Sequence, residues 1–366
     1  MNASTPAPST GSATSAVWLV AEREISSKLR SKAFLISTGI LLLIALAGIL
    51  IGGFTSKNPE ATTVAVTGET ASVVEALPNV KVTEVADRAE AEELLRSEEV
   101  EAAVLPGDGP LGYTVVALTD APSSIVGGLS VSPDVEILLP ATTNPLLRYF
   151  IAIGFGIVFL MAASTFGGTI AQSVVEEKQT RVVEVLLSAI SARTLLAGKV
   201  IGNTILAMAQ ILALAAIATV GLIVTGQNEV LSSLGAPIIW FAVFFLFGFV
   251  LLASLFAAAA SMVSRQEDIG STTMPITMLV MAPYILVIVF NDNALVLTIM
   301  SYVPFSAPVG MPMRLFVGEA QWWEPLISLV ILLASCVAAI AIGAKIYENS
   351  LLRMGRKLKL AEALRA

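Results

Sequence analysis

Apolar runs without a single Asp, Glu, Lys or Arg divide this chain. Six of them, 33–56, 149–175, 200–228, 230–264, 269–291 and 325–344, are each 20 residues or longer. About 20 apolar residues wound as a helix cross the hydrocarbon core of a bilayer, so the pattern predicts six transmembrane helices. A seventh uncharged run, 293–313, is interrupted by Pro304, Pro308 and Pro312. Proline breaks the helical ladder, and broken backbone at membrane depth is tolerated where protein or a cavity covers it. A re-entrant hairpin over 293–317 is expected; a kinked full span is the other reading.

Between the first two runs the pattern changes to short alternation. Thr62–Val66, Val80–Val85, Ala102–Leu105 and Tyr113–Leu118 read as strands, and Asp87–Arg96 as a helix with Asp87 and Glu90 at capping-box spacing. The fold class is therefore an all-α polytopic membrane protein, six transmembrane helices plus a re-entrant outer hairpin, with an inserted small α/β extracytoplasmic domain over 57–145. Transmembrane helices two to six fill 146–346, and the first occupies 33–56.

Two further segments are amphipathic. In 17–32, Trp18, Ala21, Ile25 and Leu29 share one helical face, which predicts a helix lying along the inner membrane surface. In 174–193, Val182, Val183, Leu186, Leu187 and Ile190 recur at helical spacing, and Glu177 and Arg181 sit four apart. This is either a docking helix or a connector packed on its own spans. Residues 1–16 lack charge and bulk and are expected to be disordered. The basic tail 347–366 is expected to meet anionic lipid headgroups. Gly48–Gly52 and Gly198–Gly202 have the spacing of close helix contacts.

Charge sets the topology. Lys and Arg flank the cytoplasmic ends of spans. Arg23, Lys28, Arg30 and Lys32 precede the first span; Lys178, Arg181, Arg193 and Lys199 lie between the second and third; Arg265 follows the fourth; Lys345, Arg353, Arg356, Lys357, Lys359 and Arg365 follow the sixth. With both termini cytoplasmic, these 15 of the 21 basic residues lie inside and 57–145 lies outside. The insert is acidic, with 15 carboxylates against 4 cations between Lys57 and Glu136.

Composition narrows the chemistry. Mean hydropathy is +0.84 and charged residues are 13%. The chain has no histidine, which removes the commonest general base and His-ligated metal sites. Its single cysteine, Cys336, cannot form an intrachain disulfide. No phosphate-loop or dinucleotide motif occurs, no metal site is expected, and nothing suggests nucleic-acid binding. The uncharged runs hold only polar groups such as Gln172, Asn203, Gln210, Ser254, Thr272, Thr273 and Thr277, most of them expected to bond between helices. An energy source for transport would then sit on a separate nucleotide-binding chain. Two other classes stay open: a sensor whose outer domain binds a ligand and whose inner helix recruits a partner, and a membrane-embedded enzyme such as a lipid transferase, which would have little chemistry to work with.

Three pieces resemble a known family: AEREISSKLRSKAF (Ala21–Phe34), VVEEKQTRVVEVLLSAISARTLLAGK (Val174–Lys199) and VPFSAPVGMPMRL (Val303–Leu315). The chain resembles a permease subunit of the type-2 ABC (ATP-binding cassette) exporters, in the branch with a large extracytoplasmic insert that includes sodium-extrusion permeases. The resemblance implies a dimer of permeases, a homodimer or a pair with a similar chain. It also implies ABC ATPase subunits on the cytoplasmic side that carry the ATP and Mg, and no catalytic residue or cofactor in this chain. By the same resemblance Glu176, Glu177, Lys178, Arg181 and Glu184 receive the ATPase motion, with Arg23 and Glu24 beside them. Gly198 and Lys199 start the third span, and Pro304, Pro308 and Arg314 shape an outer gate. Sodium is a cargo only by analogy to that branch; the lack of intramembrane carboxylates favours a lipophilic or amphipathic cargo.

Overall fold

The computed structural model describes residues 13–57, 61–119, 121–130, 145–351, 353 and 360–365. The chain divides into two compact units, one of residues 51–140 and one of 1–50 with 141–366.

The smaller unit follows its alternation. Strands β1 (Thr62–Val66), β2 (Val80–Glu84), β3 (Ala102–Pro106) and β4 (Tyr113–Val116) form a sheet in the order β2-β1-β3-β4. β1 runs parallel to β2 and β3, and β4 antiparallel to β3. Alternate residues of β1 face opposite sides, so Val64 and Val66 bury on one face with Val74 and Ile125, and Ala65 on the other with Ala91 and Leu95. The helix over Arg88–Arg96 starts at Asp87, whose carboxylate accepts from the Glu90 main-chain N–H at 3.0 Å, while Glu90 accepts from that of Ala86 at 2.7 Å.

Numbering helices in chain order, α1 is Ala13–Leu29 and α2 Lys32–Lys57; the smaller unit contributes α3 (Ala71–Glu75), α4 (Arg88–Arg96) and α5 (Ser123–Leu129). The larger unit continues with α6 (Pro145–Gln179), α7 (Val182–Ala189), α8 (Ala192–Val224), α9 (Asn228–Ser261), α10 (Ile269–Val289), α11 (Ala294–Tyr302), α12 (Ala307–Phe316), α13 (Glu324–Leu351) and α14 (Leu360–Arg365). Six helices, α2, α6, α8, α9, α10 and α13, are long and apolar enough to cross a membrane. α9 is the most buried of them, and its phenyl rings pack against those of α6: Phe155 on Phe241, Phe159 on Phe245 and Phe166 on Phe249. The run 293–317 forms a helical hairpin, α11 and α12, turning at Val303–Ser306.

Several boundaries differ from the sequence reading. α1 begins at Ala13, so 13–16 are helical rather than disordered; 1–12 lie outside the described residues. α13 continues to Leu351, past the expected start of the tail, and Ala363 of α14 buries against Ala258 and Ile346. The basic stretch 354–359 lies outside the described residues. Most of the polar groups expected to bond between helices turn back on their own. Asn203, Ser254, Thr272, Thr273 and Thr277 each donate to the carbonyl four residues earlier, because a short side chain reaches that oxygen without a partner helix.

Candidate functional site

One end of the bundle, called proximal here, gathers α1, the C-terminal ends of α6, α9 and α13, and the N-terminal end of α8. The approach of α1 to α8 depends on Gly198 and Gly202. A Cβ on Gly202 would stand 2.9 Å from the Ala21 carbonyl oxygen, and one on Gly198 would stand 2.9 Å from that of Val17. Gly48 and Gly52 mark no such approach: a Cβ on either meets nothing within 4 Å.

Between Gly198 and Gly202 lies Lys199, whose side chain is fully buried. Its ammonium donates to Glu24 at 2.9 Å and to the Ser173 hydroxyl, and forms an ion pair with Glu177 at 3.0 Å. Arg23 closes the ring by pairing with Glu177 and reaching Glu24 at 3.5 Å. Two cations and two carboxylates thus neutralise one another, with Lys199, Glu24 and Glu177 buried and Arg23 half-exposed, and pairing of this kind is what lets the buried charges be tolerated. Burial alone pushes the Glu24 carboxyl up, but the Lys199 ammonium, then Arg23 and Ser173, outweigh it and hold it below its ordinary value. The ring joins α1, α6 and α8.

The face of α1 turned to α8 is a different one from its apolar stripe, apart from Ala21, which belongs to both. Val20, Ala21 and Glu24 are buried, while Trp18 and Leu29 are 55% and 51% exposed. The glycine groove of α8 admits small residues, and Lys199 draws a carboxylate inward, so the buried stripe follows α8 rather than the apolar stripe.

Lys178 is also fully buried but turns the other way. Its ammonium donates to the carbonyl oxygens of Ser261 at 2.6 Å and Ser350 at 2.9 Å, in the last turns of α9 and α13. Terminal carbonyls of a helix lack intrahelical donors and carry the negative end of its dipole, so one cation caps two helices. The spans thus carry buried cations at their proximal ends that uncharged-run counting excluded.

The remaining proximal residues are exposed. Glu176 borders a polar cleft of about 380 Å³ between α1 and α6, shared with Arg23, Ser27, Lys28, Thr169 and Gln172. Arg181 adopts left-handed backbone (φ 58°) and turns the chain from α6 into α7. α7 buries Val183 inward and leaves Val182 42% and Val185 71% exposed beside exposed Glu184. Arg193 pairs with Glu348 at 2.7 Å on the surface.

At the opposite, distal end, Pro304 lies in the hairpin turn and Pro308 is buried against Gly248 of α9. Arg314 is 4% exposed. It pairs with Glu324 at 2.8 Å and donates to the Ser301 hydroxyl at 3.1 Å and the Glu319 carbonyl at 3.2 Å. Arg148 at the start of α6 reaches Glu319 at 3.4 Å.

The structure therefore brings Arg23, Glu24, Glu177 and Lys199 together, sets Gly198 against α1, and leaves Glu176, Arg181 and Glu184 outside the ring. Ser173, Ser261, Ser350, Glu319 and Glu324 were missed by sequence reasoning. The serines contribute mainly through main-chain oxygens, which no side-chain pattern reveals; Glu324 was discoverable as the lone acid opening the last apolar run.

Residues 32–345 match the model of a family described as ABC-2 family transporter protein. The uncharacterised protein MJ1024 of Methanocaldococcus jannaschii is 28% identical over 221 residues, 60% of this chain and 54% of that protein. The uncharacterised protein YhaP of Bacillus subtilis is 29% identical over 219 residues, 55% of this chain and 52% of that protein. The chain spans about half the length of these curated relatives. No solved structure matches it. The family match takes in five of the six long apolar helices, most of α13 and the charged ring apart from α1, and this multi-pass membrane chain belongs to the ABC-2 family of transporter proteins.

Proposed function

We propose that this chain is the membrane-spanning permease subunit of an ATP-driven exporter, with hydrolysis of ATP and its Mg carried by a separate ABC ATPase on the cytoplasmic side. The proximal end is the cytoplasmic one, as the Lys and Arg asymmetry supports, and the smaller unit lies outside. A second permease copy, or a similar chain, completes the transporter, and lipid surrounds its exposed apolar helices. ATP binding moves α7, and the spans alternate between inward and outward access.

The observation that carries this reading is the contrast within the proximal end. A neutral ring of buried Glu24, Glu177 and Lys199 with half-exposed Arg23 fixes α1, α6 and α8, while α7, hinged at Arg181, presents Val182, Glu184 and Val185 to a partner. A short helix with exposed apolar residues on a fixed mount suits a helix-in-groove contact. Glu177 belongs to the mount and the exposed residues of α7 to the contact.

Co-expression with ABC ATPases from the same genome tests the reading. Co-purification in nanodiscs, with hydrolysis that depends on this chain, is expected. A chain that captures no ATPase and instead binds a soluble ligand through residues 57–145 would mark it as a sensor.

A further inference from the structure

Consecutive side chains at the end of α6 reach opposite groups of helices. Glu177 joins α1 and α8 through Arg23 and Lys199. Lys178 joins the last turns of α9 and α13 through the Ser261 and Ser350 carbonyls. Its charge is balanced by two helix C-termini, each equivalent to about half a negative charge. Three residues further on, at Arg181, the chain bends into α7.

α9 and α13 are themselves closely held. A Cβ on Gly343 of α13 would stand 3.1 Å from the Ser254 carbonyl of α9, and the Cys336 thiol donates to the Phe247 carbonyl at 3.0 Å. At its distal end this pair carries the hairpin. Pro308 is seated on Gly248 of α9. Glu324, the first residue of α13, holds Arg314, and the Ser328 hydroxyl donates to the Ser301 carbonyl at 2.5 Å. α13 has 28 residues, so at 1.5 Å per residue it spans about 42 Å.

The geometry points to the α9–α13 pair as a rod that carries displacement of α7 to the α11–α12 hairpin, with Lys178 as its proximal joint and Glu324 as its distal joint. This rests on the exporter reading. Both are positioning residues: neither faces the partner surface of α7, and each fastens the rod to the element it moves with.

The experiment uses the nanodisc complex of the chain with its captured ATPase. A single reporter thiol is placed at exposed Asp292, in the turn before α11, as Asp292→Cys on a Cys336→Ser background. The rate of its modification by a membrane-impermeant maleimide is read with and without ATP. The otherwise unaltered chain is expected to change rate at least about fivefold on adding ATP. Lys178→Met is expected to cut that change below about twofold while the ATPase still co-purifies, and Lys178→Arg to retain at least half of it. Glu324→Gln, at the far end, is expected to do the same as Lys178→Met, and decides the matter alone should Lys178→Met not fold. A full ATP response in both variants overturns the rod, as does loss of ATPase capture in both, which marks structural roles only. No ATPase captured by the unaltered chain overturns the exporter reading and the rod with it.

Discussion

Glu92 in the smaller unit and Glu24 in the larger one are each held by two cations, with opposite consequences. Glu92 receives Arg88 and Arg96, both at 2.9 Å, on the surface of α4, where both arginine side chains are 66% exposed. Glu24 receives Lys199 at 2.9 Å and Arg23 at 3.5 Å, with the Lys199 side chain fully buried and that of Glu24 7% exposed. Hydrogen bonds from Arg88 and Arg96 lower the Glu92 carboxyl in a setting that water and salt screen. Glu24 is lowered against the opposing pull of burial, so its partners are obligatory. The same three charges decorate one helix and join two others, and solvent access makes the difference.

The largest expected break of this comparison is Lys199→Met. It leaves Glu24 and Glu177 buried beside a single half-exposed arginine, and removing one partner of a buried pair costs about 3–5 kcal/mol. Thermal unfolding of the purified chain in detergent should fall sharply; a melting curve like the parent's would mean the ring is not a joint. Next is Gly202→Leu, which drives a side chain into the Ala21 carbonyl of α1. Overpacking costs about 1–3 kcal/mol, and proteolysis of α1 should quicken.

A pH series sharpens the comparison further. The folded Glu24 carboxyl lies below its ordinary value of 4.5. Its contribution is therefore full above that value and is lost as pH falls below it toward the folded value. The stability gap between the parent and Glu24→Gln should be widest at neutral pH and narrow on acidification below about pH 4; a gap that widens on acidification contradicts the assigned direction. The smallest effect is expected from Glu92→Gln, which should leave the melting of the isolated protein unchanged within error at moderate salt.

The elements were legible in the sequence because their cause is periodic. Six uncharged runs gave six long helices, and alternation gave the strands, since burial of one face or of a whole span is written into residue order. Of the three prolines of 293–313, Pro304 marks the hairpin turn and Pro308 sits in the first turn of α12, where a missing N–H costs little, while Pro312 lies inside α12. Partners were less legible. Trp18, Ala21, Ile25 and Leu29 form the best apolar stripe of α1, yet Gly198, Gly202 and Lys199 on another helix decide which side is buried. Lys178 and Lys199 read as flanking charges because counting uncharged residues ends a span at its first cation. A buried lysine is instead sustained by carboxylates and carbonyls from elsewhere in the chain, such as Ser261 and Ser350. Arg314 likewise has a partner that run counting does not reveal, Glu324 ten residues away.

The most direct test concerns α7 and not the ring. Val185 is 71% exposed, so Val185→Asp should leave folding intact. The nanodisc-reconstituted chain and its captured ATPase should hydrolyse ATP at a rate that depends on the permease, and Val185→Asp should abolish that dependence and the capture while melting like the parent. Unchanged capture and permease-dependent turnover in Val185→Asp would contradict the claim that α7 is where the ATPase engages this chain.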